Sequence, residues 1–151
     1  MTPLLKGDDA IAVAGMRVKS APEEVLSLPL LVDPSYPVKD GSVIYLTADK
    51  KGCTTAQNTA AGFVGLVVLH GVGKSGRSGD TDTYIKGDVV PVMVKGKLWS
   101  PVATAITDLS AVIGANTSGV ISTTGTAVNG LRYGGTSVGS QNLTVIEVLG
   151  V

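Results

Sequence analysis

The chain has 151 residues with 12 acidic and 12 basic side chains. Its lack of net charge argues against nucleic acid or an anionic membrane as a partner, because both attract proteins through a long-range field. One cysteine excludes an intrachain disulfide framework and any multi-cysteine zinc site. The 22 valines, 15 threonines and 20 glycines, beside one Phe and one Trp, favour an all-β protein.

Short apolar runs separated by turn residues recur along the chain, as expected of a small single-domain β-barrel or jelly-roll-like sandwich. Most connecting segments contain glycine or asparagine, which adopt a positive φ angle easily. The pattern predicts strands at residues 10–18, 25–32, 43–47, 63–69, 88–94, 98–102, 119–123 and 143–149.

The segment VVPVMV-KG-KLWSPV predicts a β-hairpin, with Lys95 and Gly96 as its tight turn. Proline cannot donate to a neighbouring strand, so Pro29, Pro91 and Pro101 assign their strands to sheet edges or bulges. Such edges must be paired or covered to prevent aggregation, and association with other protein surfaces is one way to cover them.

Residues 101–113 (PVATAITDLSAVI) are the only stretch that favours a helical turn or two, so very little helix is expected. No repeat or linker interrupts the chain, which predicts one domain over residues 9–151 after a short N-terminal arm at residues 1–8. The start lacks the regions of a signal peptide, and no apolar run is long enough to span a bilayer. We expect a soluble protein that stays in the cytoplasm of the cell that makes it.

Charge is unevenly distributed, because only Asp108, Arg132 and Glu147 are charged in the last 52 residues. One explanation is a surface covered by Ser, Thr, Asn and Gly. The other is a surface that is buried against copies of the chain or a partner, since interface cores are depleted in charge.

Residues 71–75 (GVGKS) end like a nucleotide-binding loop. That motif requires glycine five residues before the Gly-Lys pair, where this chain has Val68, and a helix directly afterwards. The sequence that follows, SGRSGDTD, is typical of a loop. We interpret the segment as a mobile basic surface loop.

Asp80, Asp82 and Asp88 are spaced somewhat like the ligands of a calcium loop. The EF-hand pattern fails, because Tyr84 and Ile85 stand where it requires an oxygen ligand and a glycine. Turn formation by aspartate side chains in a loop between strands is the better interpretation.

No catalytic or metal-binding set is evident. With His70 as the single histidine, two-histidine metal motifs are impossible, and no GxSxG elbow occurs. Glu23 and Glu24 point to opposite faces of a strand, a poor arrangement for acid–base catalysis. A trimeric dUTP-hydrolysing enzyme is an alternative, because residues 131–140 resemble the Gly-rich C-terminal segment that closes the site in that family. The acidic motif that positions water in that family is missing, and residues 82–84 are the nearest approach to it.

Six aromatic residues, one Trp, one Phe and four Tyr, are too few for a nucleic-acid reader that stacks bases on a basic face. Trp99 is better interpreted as a core residue or an interface anchor.

Several segments resemble the structural cement, or decoration, proteins of tailed-phage capsids. An apolar strand leads through a loop to a G-D-x-V-x-V-x-x-x-G-x-hydrophobic-W strand pair, and a terminal V-x-E-hydrophobic strand follows. The similar segments are residues 14–20, 62–69, 86–103, 113–122 and 143–149.

The resemblance implies a homo-oligomer, dimer or trimer, on the outer capsid surface of the virion. There it would clamp neighbouring subunits of the phage major capsid protein without a cofactor, a metal or catalytic residues, after synthesis in the host cytoplasm. A head-fibre module that binds host or glycan is an alternative of another class, and a small trimeric all-β enzyme is a further one. The candidate interface residues are Pro3, Leu4 and Leu5 of the arm, with Trp99 and Tyr133.

Overall fold

The computed structural model describes residues 13–18, 22–47, 49, 51–55, 63–69, 74–78 and 81–149. Within these ranges every regular element is a strand and no helix occurs. The all-β prediction is confirmed, whereas closure into a barrel or sandwich stays a prediction. The predicted arm at residues 1–8 and His70 lie outside the described residues.

Across the described ranges the chain forms twelve strands, and all strand pairs are antiparallel. The strands are β1 (Glu24–Pro29), β2 (Val43–Leu46), β3 (Cys53–Thr54), β4 (Phe63–Val67), β5 (Gly76–Ser78), β6 (Thr81–Thr83), β7 (Val89–Pro101), β8 (Gly114–Ala115), β9 (Ile121–Ser122), β10 (Thr126–Ala127), β11 (Leu131–Tyr133) and β12 (Leu143–Val148). A seven-stranded sheet has the order β11-β12-β7-β4-β2-β3, with β1 also paired to β7. A three-stranded sheet has the order β10-β8-β9, and β5 pairs with β6.

The predicted hairpin at Lys95 and Gly96 is wrong, because β7 continues through both residues as one strand of 13 residues. The half before Gly96 pairs with β1 and β4, and the half after it pairs with β12. Each half therefore finds its own partner strands, and the local turn signal is overridden. Gly96 still has a positive φ of 130°, which here bends a strand.

Gly96 also rotates the apolar face of β7. Met93 and Leu98 both belong to the larger hydrophobic cluster, although residues five positions apart in a regular strand face opposite sides. The pairing with β1 shifts register at the same place, since Glu24 lies opposite Lys95 and Val25 opposite Met93. This irregularity directs both halves of β7 into one core.

The prolines fulfil their predicted roles in part. Pro29 ends β1, which is paired along its length only to β7, so its assignment to an edge is confirmed. For Pro91 and Pro101 the edge alternative is wrong, because β7 has neighbours on both sides, but the bulge alternative is met in the run that contains Pro91, where the pairing with β1 shifts register. Pro91 lies beyond the last paired residues of β4 and β7, Val67 and Val92, so its missing N–H falls at the end of that ladder, and its carbonyl oxygen accepts from the Val68 amide at 3.0 Å. Pro101 is the last residue of β7.

The helical turn predicted over residues 101–113 is also wrong. The Asp108 side chain accepts from the Ser110 amide at 2.9 Å, and its carbonyl oxygen accepts from the Ala111 amide at 3.1 Å. This turn gives the backbone an alternative to helical bonding, and the threonines and valines nearby lower the helix propensity further.

Two hydrophobic clusters share β7. Val90 and Val92 belong to the smaller one, with residues of β1, β2 and β4, whereas Met93 lies in the larger one. The larger cluster extends into the C-terminal strands through Ile121 and Ile146. Strand β7 therefore contributes fully buried side chains to both clusters, and each such side chain stabilises the fold by about 1.5–3 kcal/mol.

Candidate protein-binding surfaces

The first exposed apolar surface lies along β1 and the residues that follow it. Leu26 is 43% exposed although its cross-strand neighbour Val92 is fully buried. Leu31 and Val32 continue the exposed apolar run, and Val89 is exposed opposite Pro29. We call the edge formed by residues 24–29 the β1 edge. It presents apolar side chains and strand backbone together, as peptide-binding sheet edges do.

Charged side chains bound the β1 edge at its N-terminal end. Arg17 donates to the Glu23 carboxylate at 2.7 Å, and Glu24 lies opposite Lys95 of β7. Residues 25–29 contain no charged side chain. The apolar part of this surface is therefore a narrow strip.

The second exposed apolar surface is the segment of residues 103–113, between β7 and β8. Val112 is 62% exposed and Leu109 is 49% exposed, although apolar side chains of this size usually seek the core. Asp108 is the only charged residue of the segment, and its carboxylate is engaged by Ser110. Residues 103–113 thus present an almost uncharged surface.

Tyr133 supports this segment from the inside. Its ring is buried in the larger cluster, and its hydroxyl donates to the Val112 carbonyl oxygen at 3.1 Å. Burial raises the pKa of the Tyr133 hydroxyl, which stays a neutral donor at physiological pH. Tyr133 thereby positions Val112, and a direct contact of Tyr133 with a partner stays a prediction.

Trp99 lies in the second half of β7, opposite Val145 of β12, and is partly buried. Its amide donates to the Met16 carbonyl at 2.9 Å, and its own carbonyl accepts from the Gly15 amide at 2.7 Å. Its role as an anchor stays a prediction, as do the roles of Pro3, Leu4 and Leu5, which lie outside the described residues. Among the described candidates, the structure brings neither Trp99 nor Tyr133 to the most exposed surface.

Sequence reasoning missed Leu26, Leu109 and Val112 as surface residues. Leu26 belongs to a strand whose pattern of alternating sides does not tell which side is open. Leu109 and Val112 lie in residues 101–113, for which a helical turn or two was predicted without saying which side chains would be exposed. The usable signal was the lack of charge around them.

Short polar turns cover much of the remaining C-terminal surface. The Asn116 side-chain oxygen accepts from the Ser118 amide at 2.9 Å and from the Val120 amide at 3.1 Å. The exposed Ser118 hydroxyl donates to the same Asn116 oxygen at 2.7 Å. This part of the surface is therefore solvated and ordered by hydroxyl and amide groups, as the first of the two explanations for the missing charge requires.

The segment after the Gly-rich motif is a β-hairpin of β5 and β6, neither a helix nor the expected loop. Lys74 is only 13% exposed, and its ammonium group lies 3.0 Å from the Asp40 carboxylate and 5.4 Å from the centre of the Tyr84 ring. These contacts engage the lysine that a phosphate loop would need. The segment thus closes on the sheet and does not resemble a nucleotide site.

Asp88 forms turn contacts of the type expected for this acidic group. Its carboxylate accepts from the Ser75 hydroxyl at 2.6 Å and from the Ile85 amide at 3.0 Å. No cluster of three or more His, Cys, Asp or Glu suited to a metal ion is found among the described residues. Likewise, no helix in the described ranges is long and apolar enough to cross a membrane.

A surface depression of about 260 Å³ lies between the start of β2 and the end of β7. Asp40 is its one carboxylate, and Lys74 engages it. The pair of carboxylates that acid–base hydrolysis uses is thus missing from its lining. The depression is lined by Pro37, Lys39, Asp40, Gly41, Ser42, Pro101, Ser118, Gly119 and Val120.

Comparisons with known proteins identify a matching family and a solved structure with a similar fold. Residues 6–149 match the model of a family described as structural cement protein (E217 gp24/Pam3 gp6). No curated protein matches the sequence. A chain from the solved capsid of Myoviridae phage XM1 has the same fold, with a TM-score of 0.64 and 15% identity over 91% of this chain and 89% of that chain.

Proposed function

This chain belongs to the structural cement protein family, and from that premise we propose that it binds the outer surface of a phage capsid and clamps neighbouring major capsid protein subunits. The family match over residues 6–149 carries this proposal. The chain is a phage structural protein with a capsid-stabilising role. It acts by binding, without catalysis and without nucleic acid or membrane as a partner.

The segment of residues 103–113 is the proposed contact with the capsid. Leu109 and Val112 are about half or more exposed and are accompanied by one charged residue, Asp108. The cores of protein interfaces are similarly apolar and poor in charge. Tyr133 supports the contact because its hydroxyl fixes the carbonyl of Val112.

A homo-oligomer in the virion would engage several capsid subunits at once. Tethering makes each later contact intramolecular, so interfaces of ordinary size give slowly reversible binding. The remaining candidates complete this arrangement, with one domain over residues 9–151, the arm residues Pro3, Leu4 and Leu5 on the capsid, and Trp99 as an anchor. Synthesis in the host cytoplasm precedes assembly.

Co-sedimentation with undecorated capsids of the same phage tests the proposal. The purified protein should bind saturably, at a fixed ratio to the major capsid protein, and Val112→Asp should weaken binding at least about tenfold. Val138→Asp is the matched control, because Val138 is similarly exposed outside the segment. Equal losses in both variants, or none, would remove residues 103–113 from the interface, and absence of saturable binding would refute the function itself.

Deletion of residues 2–6 tests the arm separately. If Pro3, Leu4 and Leu5 contact the capsid, the shortened protein should occupy fewer sites at the same concentration. Its free energy of unfolding serves as the control for an effect on folding. Unchanged occupancy would exclude the arm from the contact.

A further inference from the structure

The β1 edge has backbone groups that point away from the sheet. The Leu30 amide donates to the Asp88 carbonyl at 2.9 Å, and bonded and non-bonded pairs alternate along an antiparallel ladder. Leu26, four positions earlier, therefore bonds to β7 as Leu30 does. The N–H and C=O groups of Val25 and Ser27 face outward.

This edge is closed only at its C-terminal end. The Leu31 amide donates to the Cys53 carbonyl at 3.4 Å, and a Cβ atom on Gly52 would lie 2.6 Å from the Pro29 carbonyl oxygen. Pro29 also has no N–H group to offer. Among the described residues, no strand pairs with the outer side of residues 25–28.

The other sheet edges in the described ranges are better protected. Strands β3, β9 and β10 have two residues each, and β11 has three residues with the exposed Arg132 in the middle. Short edges and charged side chains are the usual protection against strand addition. Residues 25–28 have neither, and the exposed Leu26 lies at their centre.

We infer that β1 pairs antiparallel with β1 of a second copy, about a two-fold axis at Leu26. Val25 of each copy lies opposite Ser27 of the other, so the outward backbone groups form four hydrogen bonds. The two Leu26 side chains meet as a non-hydrogen-bonded pair, in which side chains are closest. The seven-stranded sheet of each copy thereby continues into the other. This contact specifies the homo-oligomer of the proposed function as a dimer.

The backbone selects this register over its neighbours. Centring the axis on Val25 would require bonds from Glu23, which lies outside β1, and centring it on Ser27 would require an N–H group from Pro29. Only the axis at Leu26 uses both outward residues of each copy completely.

The charges fit the same register. In this register Glu24 of one copy lies opposite Leu28 of the other. Gly52 packs against Pro29, the residue after Leu28, so the exposed Lys51 next to Gly52 lies on the same side as the incoming Glu24. The two Glu24 residues are four positions apart along the strands, about 13 Å, which exceeds the screening length of about 8 Å at physiological salt. Opposite charges therefore approach at each end of the pairing, and like charges stay separated.

Disulfide trapping tests the register. In the proposed dimer the Cα atoms at position 26 are about 4.5 Å apart, within the range that a disulfide bridges, whereas two residues at position 27 exceed the limit of about 7 Å. Under mild oxidation Leu26→Cys should give a covalent dimer, and Ser27→Cys and Val112→Cys should not. The native Cys53 is buried, and burial raises the pKa of its thiol to about 11, which keeps it unreactive. Equal cross-linking of all three variants would overturn the inference.

Removal of the outward N–H group tests the bonding. Ser27→Pro should raise the dimer dissociation constant at least about tenfold, since each dimer loses two backbone hydrogen bonds. Ser27→Thr keeps the N–H group and should leave the constant unchanged. Leu26→Lys, which places two like charges on the axis, should weaken the dimer by a similar factor if the proline variant folds poorly.

Light scattering and sedimentation equilibrium give the readout independently of any capsid. A monomer or a trimer of the wild-type protein, or a Ser27→Pro variant that dimerises normally, would overturn the β1 pairing. Saturable capsid binding in the same case would leave the proposed function standing. A dimer that fails to bind capsids would leave the β1 pairing standing and refute the proposed function.

Discussion

The β1 edge and the region of residues 103–149 both expose apolar side chains, but they offer partners different things. At the β1 edge, Leu26 lies beside outward backbone groups and charged residues bound the strip. A partner there must supply a strand in one register. In the C-terminal region, Leu109 and Val112 lie in an irregular segment with little charge, so a partner needs a complementary shape and few directed bonds.

The first 99 residues, which contain the β1 edge, and the C-terminal region also differ in the groups that solvate their surfaces. The first 99 residues carry 21 of the 24 charged side chains, whereas the C-terminal region uses turns such as those at Asp108 and Asn116. The first explanation of the missing charge, a surface of polar uncharged residues, therefore applies at these turns, and burial of residues 103–113 against a partner stays a prediction. Turns such as the one at Asn116 order part of the C-terminal surface, and Leu109 and Val112 of residues 103–113 are among its exposed apolar side chains. Charge content alone does not separate a polar surface from an interface.

The largest effect on the free energy of unfolding should come from Gly96 of β7, which lies between the half that pairs with β1 and the half that pairs with β12. Gly96→Val adds a side chain at a φ of 130°, and its Cβ atom would lie 2.9 Å from the Glu23 Cβ and 3.1 Å from the Met93 Sδ. Backbone strain and crowding together should lower the free energy of unfolding by about 3 kcal/mol or more. Urea denaturation followed by Trp99 fluorescence measures the loss.

Gly87→Ala is the control for backbone strain alone. Gly87 has a φ of 97°, and nothing lies within 4 Å of the position its Cβ would take. We expect a loss of about 1–2 kcal/mol, without the contribution from crowding. Equal losses for Gly96→Val and Gly87→Ala would mean that the bend in β7 is not tightly packed against β1.

The Lys95-Gly96 pair also shows which parts of the fold could be predicted from the sequence. Strands with a regular apolar pattern, such as β2, β4 and β12, were predicted within two residues of their bounds. The Lys95-Gly96 pair was misread because a turn signal describes four residues, whereas the choice between hairpin and continuous strand depends on distant partners. The prolines show the same limit. A proline indicates that one N–H donor is missing, but it does not indicate whether a neighbouring strand lies on that side, so the edge was correct for Pro29 and incorrect for Pro91.

The short strands and the surfaces were harder to predict. Strands β8, β10 and β11 have two or three residues, too few for an alternating pattern to emerge. Their pairing depends on turns such as the one at Asn116, where one side-chain oxygen accepts from the Ser118 and Val120 amides. The two apolar surfaces depend on which side of a strand or segment stays uncovered, and only the folded chain reveals that.

A smaller effect should come from Asn116, which tests whether the C-terminal surface is held by its own turns. Asn116→Ala removes an oxygen that accepts from the Ser118 amide, the Ser118 hydroxyl and the Val120 amide. We expect a loss of about 1–2 kcal/mol in the free energy of unfolding. Asn116→Asp keeps the acceptor and should be nearly neutral. A full loss in Asn116→Asp would indicate a role for the amide nitrogen instead.

The pH dependence should distinguish the aspartate turns of the two regions. Burial alone would raise the pKa of Asp88, but hydrogen bonds from Ser75 and Ile85 outweigh it and lower the pKa. Hydrogen bonds from Ser110 lower the pKa of the exposed Asp108. A lowered pKa in the folded state stabilises the protein above the unfolded value of about 3.9, and this stabilisation is lost as the pH falls through the folded value.

We therefore expect the free energy of unfolding to fall below about pH 4 in the wild-type protein. Asp88→Asn should flatten that decrease more than Asp108→Asn, because Asp88 joins two segments whereas Asp108 binds only within its own turn. Urea titrations between about pH 2.5 and 7 measure both slopes. A steeper acid transition in Asp88→Asn would contradict the sign of its pKa shift.

The smallest effect should come from the Arg132–Glu147 pair, the cross-strand ion pair of β11 and β12. The Arg132 Nε donates to a Glu147 oxygen at 3.0 Å, but the arginine side chain is 64% exposed. Arg132→Ala should cost no more than about 0.5 kcal/mol, and added salt should remove most of that.

The Lys74–Asp40 pair is the reference in the first 99 residues, because its side chains are only 13% and 19% exposed. Lys74→Met should cost more and respond less to salt, since water screens buried charges poorly. Equal costs would mean that the ion pairs of the two regions differ in place and not in strength.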